Sequence, residues 1–199
     1  VDVLGDAPAD RFAQALEICR RHNITDRAPA KLMRRLVQGA AGELPETPGP
    51  DDPVFAKVTN LVIGSNRVAL EAAREHLRAR GVAAEIVTDR LEGDTEEAAA
   101  LIAGQAMAKQ RETGSRRPYA LIYGGETTLR VTGGGLGGRN QHLALKAADL
   151  LRGHEGVCLL AAGTDGTDGP TDMAGAIADG GTAARGSAAG EDLGACLKS

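Results

Sequence analysis

Apolar residues near the start of the chain recur at helical spacing. Phe12, Leu16 and Cys19 lie three or four residues apart, and a second segment with the same spacing opens at Pro29. Each segment predicts an amphipathic helix with one buried face. The stretch from Gly42 to Pro53 holds four prolines and is predicted to be a loop.

Beyond this loop the pattern alternates between short apolar runs and helical periods. The predicted strands are Val58–Ile63, Ala84–Thr88, Tyr119–Tyr123, Leu129–Val131 and Val157–Ala162. The predicted helices begin after Gly64-Ser65-Asn66, at Asp94 and at Asn140. Repeated strand-helix units predict an α/β fold of two lobes with mainly parallel, Rossmann-like sheets flanked by helices. The polar stretch from Arg111 to Arg117 is the predicted boundary, which gives lobes at 1–112 and 118–199.

Composition narrows the class of protein. Hydrophobic residues make up 42% of the 199 residues but aromatic ones only 2%, so the predicted core is built from Ala, Val, Leu and Ile. A net charge of -4 without a long basic run argues against nucleic acid and anionic membranes as partners. No apolar run is long enough to span a bilayer.

The three cysteines lack zinc-type spacing and are interpreted as reduced packing residues of a cytoplasmic protein. Because the chain opens on Val1, it is expected to be a fragment.

The most distinctive segment runs from Gly133 to Asn140 and holds five glycines in eight residues. It lies between a predicted strand and a predicted helix, where unpaired N–H groups favour an anion. Arg139 adds a planar fork of donors for phosphate or carboxylate. The segment also satisfies G-x-G-x-x-G, the dinucleotide pattern, but the acidic residue expected about 20 positions later is not there. A purely structural glycine loop is the remaining alternative.

Three further loops follow predicted strands. In the first, Ser65 and Asn66 are expected either to cap a helix or to contact substrate. In the second, Gly124–Thr128, Glu126 is expected to orient a substrate hydroxyl or a hydrated metal, or to lie in water on a tight turn. In the third, Gly163–Asp172, three carboxylates offer the hard oxygen atoms that Mg²⁺ prefers, although aspartate is also common in turns. These carboxylates belong to Asp165, Asp168 and Asp172.

Taken together, these motifs resemble those of the class II glycerate 2-kinase family, whose C-terminal domain is called MOFRL. The matching stretches are Gly-Gly-Glu-Thr-Thr at 124–128, Gly-Gly-Gly-Leu-Gly-Gly-Arg-Asn-Gln at 133–141 and Ala-Gly-Thr-Asp-Gly-Thr-Asp-Gly-Pro-Thr-Asp at 162–172. The resemblance implies ATP-dependent phosphorylation of D-glycerate at its 2-hydroxyl, in a cleft between two α/β domains, with ATP and Mg²⁺ as cofactors. It covers nearly the whole chain and corresponds to the second half of family members.

The resemblance also implies roles for individual residues. Residues 1–112 correspond to the end of the first family domain, and 118–199 to a truncated MOFRL domain. Arg139 matches an active-site arginine and would act with Glu126 in catalysis, whereas His142 stands where relatives have glutamate. The predicted phosphate- or substrate-binding residues are Gly133, Gly134, Gly135, Gly137, Gly138, Asn140, Ser65 and Asn66. The predicted metal ligands are Asp165, Asp168 and Asp172.

Three functions remain open at this point. The first is the kinase, with a nucleotide and D-glycerate as small-molecule partners. The second is an NAD(P)H-dependent hydroxypyruvate reductase, a label that some family members carry. The third is an inactive binding or regulatory module. A homo-oligomer is compatible with each of them.

Overall fold

A computed structural model describes residues 10–49, 51–114 and 118–198. The chain forms two compact units, one up to residue 62 and one from residue 63. In the first unit, helix α1 (Arg11–Arg21) packs against helix α2 (Ala30–Ala40), and a short 3-10 helix follows at Pro53–Phe55. Gly39 lies against the Phe12 ring so closely that a β-carbon there would be 2.2 Å from its Cγ. Both predicted helices of this unit are confirmed.

The second unit contains the strands and the remaining helices. They are α3 (Asn66–Ala79), β1 (Ala83–Leu91), α4 (Thr95–Thr113), β2 (Tyr119–Gly125), α5 (Arg139–Leu150), β3 (Cys158–Ala162), β4 (Gly175–Asp179), α6 (Thr182–Ala188) and α7 (Leu193–Lys198). Strands β1 and β2 are parallel, with Ala83 opposite Tyr119 and Ile86 opposite Ile122. Strands β3 and β4 are antiparallel. The mixed α/β class is therefore confirmed, with one parallel and one antiparallel pair in the described chain. The lobe division near residues 112–118 stays a prediction, since β1 and β2 lie on either side of it.

The core of this unit is rich in alanine. Helix α4 packs on α5, and α5 packs on both β3 and β4. Small side chains at these contacts let the helices approach closely and still exclude water. The buried cluster comprises Ala98, Ala99, Ala103, Leu143, Ala144, Ala147, Ala148, Leu151, Val157, Leu159, Ala161 and Ala178. The prediction of an aliphatic core is confirmed, although alanine dominates it and its buried members include no isoleucine, and this packing holds α5 in place.

Two predicted strands are wrong. Residues 58–63 and 129–131 form no strand and join no sheet in the described chain, and Ile63 is 93% exposed. An apolar run becomes a strand only where a neighbouring backbone supplies hydrogen-bond partners, and neither run finds one among the described residues. Strand β4 was missed, because its sequence Gly-Ala-Ile-Ala-Asp has little β propensity of its own.

Candidate functional site

A cleft of about 990 Å³ opens on the second unit. Four chain segments line it, at 89–93, 125–131, 137–139 and 165–170. These include the end of β2, the start of α5 and the loop that follows β3. The cleft therefore collects predicted site residues that are distant in sequence, namely Glu126, Gly137, Gly138, Arg139, Asp165 and Asp168.

The position of Glu126 is set by the backbone on either side of it. Gly125 has φ +148°, and a β-carbon there would lie 2.2 Å from the carbonyl oxygen of Leu91. The Glu126 N–H donates to that same oxygen at 2.8 Å. The hydroxyl of Thr95 donates to that of buried Thr127 at 3.0 Å. Because both neighbours are held in place, the Glu126 side chain projects into the cleft, where it is 72% exposed.

Arg139 is the first residue of α5 and faces Glu126. Its Nη1 lies 2.9 Å from Oε1 of Glu126, and its own side chain is 46% exposed. An ion pair this open to water contributes little to stability. Its charged groups are therefore accessible to a ligand that enters the cleft.

The N-terminal end of α5 is capped by a residue from another loop. Gly138, at the N-cap position, has no side chain to contribute. Asp168 replaces it: Oδ1 accepts from the backbone and side-chain nitrogens of Asn140 at 3.1 and 3.0 Å, and Oδ2 accepts from the Gln141 N–H at 2.8 Å. Asp168 is only 3% exposed. The prediction that these helix N–H groups are free for an anionic ligand is thus wrong for Asn140 and Gln141, because an internal carboxylate occupies them.

Further contacts fasten the same loop to α5. The Gln141 side-chain amide donates to the Thr171 hydroxyl at 2.8 Å and to the Asp168 carbonyl at 3.3 Å. The Thr171 hydroxyl itself donates to that carbonyl at 2.8 Å. Gly138 packs so tightly that a β-carbon would lie 2.4 Å from Cγ of Asp168. The two glycine-rich motifs are therefore bound to each other, which explains why Asn and Gln follow Arg139.

The three predicted metal ligands do not converge. Asp165 is exposed on the cleft and accepts weakly from the Thr167 N–H at 3.4 Å. Asp172 is exposed and is not among the residues that line the cleft. Both oxygens of Asp168 are directed at α5. Across the described residues, no group of three or more His, Cys, Asp or Glu side chains is placed to hold a metal. A cage built from these three carboxylates does not fit the geometry, and a role for Mg²⁺ stays a prediction.

The remaining predicted binding residues lie outside the cleft lining. Gly133, Gly134 and Gly135 are exposed, and a β-carbon at Gly134 would meet only open space. Ser65 caps α3 by accepting from the Val68 N–H at 3.4 Å. The Asn66 side chain donates to the carbonyl of Asp89 at 2.7 Å. The capping interpretation is therefore confirmed for Ser65, and a role in ligand binding stays a prediction for all six residues, Asn140 included.

One charged cluster beside the site was not predicted from the sequence. Glu96, in the first turn of α4, accepts from Lys146 at 2.7 Å and lies 3.2 Å from Nε2 of His142. The hydrogen bond to Lys146, followed by that to His142, lowers the pKa of Glu96. The same bond to Glu96 raises the pKa of Lys146. The only sequence signal is the four-residue spacing of His142 and Lys146, which places both on one face of α5.

Comparison with known proteins identifies relatives along nearly the whole chain. Residues 119–199 match the MOFRL family. A D-glycerate 2-kinase from Thermotoga maritima is 39% identical over 96% of this chain and 44% of its own length. A glycerate 2-kinase from Pyrococcus horikoshii is 37% identical over 86% of this chain and 38% of its own. The crystal structure of a glycerate kinase from Thermotoga maritima superposes with a TM-score of 0.71 at 37% identity, covering 100% of this chain and 48% of that one.

The chain thus spans less than half the length of each of these three relatives. None of the described helices is long and apolar enough to cross a membrane. The motifs at 124–128, 133–141 and 162–172, which suggested a family on sequence alone, each contribute residues to the cleft, and hydrogen bonds join the second motif to the third. The chain therefore belongs to the glycerate 2-kinase family, with a MOFRL region over residues 119–199.

Proposed function

We propose that this chain supplies the phosphoryl-transfer site of a cytoplasmic, ATP-dependent D-glycerate 2-kinase. The observation that carries the proposal is the pair formed by Glu126 and Arg139, 2.9 Å apart in an open cleft. An arginine and a carboxylate beside exposed backbone are what phosphoryl transfer needs, since this reaction depends on positioning and charge stabilisation.

Each residue of the pair has a role in the proposed reaction. The 2-hydroxyl of D-glycerate donates a hydrogen bond to the Glu126 carboxylate, which aims its oxygen at the γ-phosphorus of ATP. As the new O–P bond forms, the bond from the γ-phosphorus to the bridging oxygen breaks and ADP leaves. The hydroxyl proton passes to Glu126 and then to water. Arg139 leaves Glu126 and pairs with the equatorial oxygens of the transferring group, where negative charge must be stabilised.

The glycine segment has a smaller part in this proposal than the sequence suggests. Gly137 and Gly138 line the cleft, so their backbone is available to a phosphate or to the glycerate carboxylate. Asp165 is the predicted metal ligand whose exposed carboxylate lines the cleft, and Mg²⁺ is usually held by one or two carboxylates together with substrate phosphates. No step of the proposal is assigned to the metal.

The reductase alternative finds no support in the geometry. A dinucleotide site of the G-x-G-x-x-G type presents helix N–H groups to the pyrophosphate. Here the Asn140 and Gln141 N–H groups donate to Asp168. The relatives cited above are also named kinases.

Ligand binding to the 199-residue chain tests the proposal. Thermal unfolding is measured separately with Mg-ATP, with D-glycerate and with NADH. A ligand present at one hundred times its Kd stabilises the folded state by about 2.7 kcal/mol. We expect Mg-ATP and D-glycerate to raise the melting temperature and NADH to leave it unchanged. A response to NADH alone would contradict the kinase and favour the reductase.

Substitution of Arg139 tests its catalytic role. In the glycerate 2-kinase assay, Arg139→Ala is expected to lower turnover at least tenfold, which corresponds to a rise of about 1.4 kcal/mol in the activation barrier. Folding is expected to stay intact, because the side chain is exposed. Arg152→Ala is the matched control, since it removes an exposed arginine just beyond the other end of α5. Equal turnover in the two variants would refute the assignment.

A further inference from the structure

The buried carboxylate of Asp168 is the feature of the cleft wall that the proposed mechanism does not use. A carboxylate that is 3% exposed must be paired or fully hydrogen-bonded, because burying a bare charge is costly. Asp168 meets this requirement with three donors, all from Asn140 and Gln141. Bonds to an ionised acceptor are stronger than bonds between neutral groups.

The donors to Asp168 lie in the first turn of α5, and this position indicates the role of the carboxylate. The first N–H groups of a helix have no partner within the helix, and they attract anions. At the start of α5 they are already paired with an anion that belongs to the chain. Gly138, with its Cα beside Asp168, leaves no room for a larger residue between the helix and the loop. Arg139 directly precedes the two capped residues and lines the open cleft.

We propose that Asp168 is a positioning residue that takes up the anion site at the start of α5 and so directs Arg139 toward the ligand. The charged group of the ligand then meets the Arg139 guanidinium instead of the helix N–H groups. The cap itself is independent of the reaction, whereas the orientation of Arg139 toward a ligand rests on the proposed kinase function. This role for Asp168 replaces the predicted one in metal binding.

Amide hydrogen exchange in the 199-residue chain tests the cap directly. Without a cap, the Asn140 and Gln141 amides would exchange at the rate of unpaired amides in the first turn of a helix. If Asp168 caps α5, both amides are expected to be protected from exchange in the unmodified chain. In Asp168→Asn one acceptor oxygen becomes an NH₂ group, and at least one of the two amides is expected to exchange at least tenfold faster. The Glu96 and Glu97 amides, capped separately by Asp94, serve as internal references. Unprotected Asn140 and Gln141 amides in the unmodified chain would overturn the proposal even if the variant failed to fold.

Two controls separate the cap from other roles of the loop. Asp165→Asn makes the same change of charge on an exposed neighbour, and it is expected to leave both amides unchanged. Magnesium chloride alone is the probe for metal binding by Asp168. Coordination of Mg²⁺ would draw the carboxylate off the helix and release the two amides, so faster exchange on adding Mg²⁺ would count against the cap, and unchanged exchange supports it.

The effect on Arg139 is read from ligand-induced thermal shifts. Asp168→Asn is expected to reduce the stabilisation by Mg-ATP or D-glycerate, and Arg139→Ala in that background is expected to reduce it no further, because residues that act as one unit are not additive. Additive losses would mean that Asp168 does not act through Arg139. If the unmodified chain responds to neither ligand, the proposed kinase function fails, while the exchange rates still decide whether Asp168 is the cap.

Discussion

Helices α4 and α5 both begin at an aspartate cap, but the two caps are built differently. Asp94 immediately precedes α4, is exposed, and uses one oxygen to accept from the Glu96 and Glu97 N–H groups at 2.8 and 3.2 Å. Asp168 lies 28 residues after Asn140 of α5, is buried, and uses both oxygens. A local cap stabilises the helix that it precedes. A remote cap also fixes the distance between two parts of the chain.

This difference affects the wall of the cleft, to which α5 contributes and α4 does not. The first turn of that helix carries Arg139, and the loop at 165–170 also lines the cleft. Because Asp168 joins them, the position of Arg139 depends on a loop that is far away in sequence. At α4 the neighbouring motif is joined through the backbone instead, where the Thr95 N–H donates to the Thr128 carbonyl at 3.0 Å. The α4 cap is therefore expected to tolerate substitutions that the α5 cap does not.

The largest expected effect comes from filling the space between α5 and its remote cap. In Gly138→Ala the new methyl group would lie 2.4 Å from Cγ and 2.6 Å from Oδ1 of Asp168. The helix must then move away from the carboxylate, which adds lost hydrogen bonds to the cost of overpacking. We expect the free energy of unfolding to fall by about 3 kcal/mol, as measured by urea denaturation.

Gly134→Ala is the matched control for that substitution. It places the same methyl group in the same glycine segment, where nothing lies within 4 Å of it. Its effect on the free energy of unfolding is expected to stay within about 0.5 kcal/mol. Similar losses in the two variants would show that the segment responds to its glycines in general and not to the packing of Gly138 on Asp168.

A smaller effect is expected at the local cap. Asp94→Ala removes the acceptor and is expected to lower the free energy of unfolding by about 1 kcal/mol. Asp94→Asn keeps an acceptor oxygen, and one oxygen is all that this cap uses, so the loss is expected to stay within about 0.5 kcal/mol. Asp168→Asn cannot keep both of its acceptors. Equal losses on urea denaturation for the two Asp→Asn variants would remove the distinction between the caps.

The distinction between a local and a remote cap also separates the contacts that the sequence predicts from those that it does not. The helix start at Asp94 is predictable from local sequence, because Glu97 follows at the spacing of a capping box and an apolar periodic segment begins there. The metal site predicted at Asp168 rests on its acidic neighbours, and no local sequence pattern relates Asp168 to Asn140. The two residues meet only in the folded chain, where β3 and α5 pack together. The strand predicted at 58–63 is wrong for the same reason. Its apolar pattern is typical of a strand, but the local sequence does not show whether another strand will pair with it. Glu126 and Arg139 were found from the motifs, while their contact is a product of the fold.

The smallest expected effect concerns the bridge between the two helices. Glu96 on α4 is hydrogen-bonded to Lys146 and His142 on α5, and these bonds lower its pKa below the ordinary value of 4.5. A carboxyl group with a lowered pKa stabilises the folded state above its unfolded pKa, and this contribution is lost as the pH falls through the lowered value. Because the side chain is 42% exposed, water screens the bridge and limits its contribution to about 0.5 kcal/mol.

Glu96→Gln is therefore expected to destabilise the chain slightly at neutral pH and to flatten the fall in stability below pH 4.5, as measured by urea denaturation at a series of pH values. Glu97→Gln is the control, since it lies in the same turn of α4 and is exposed. It is expected to leave the pH dependence as it is. If Glu97→Gln flattened the curve as much as Glu96→Gln, the effect would come from the general charge at the start of α4 and not from the hydrogen bonds of Glu96 to Lys146 and His142.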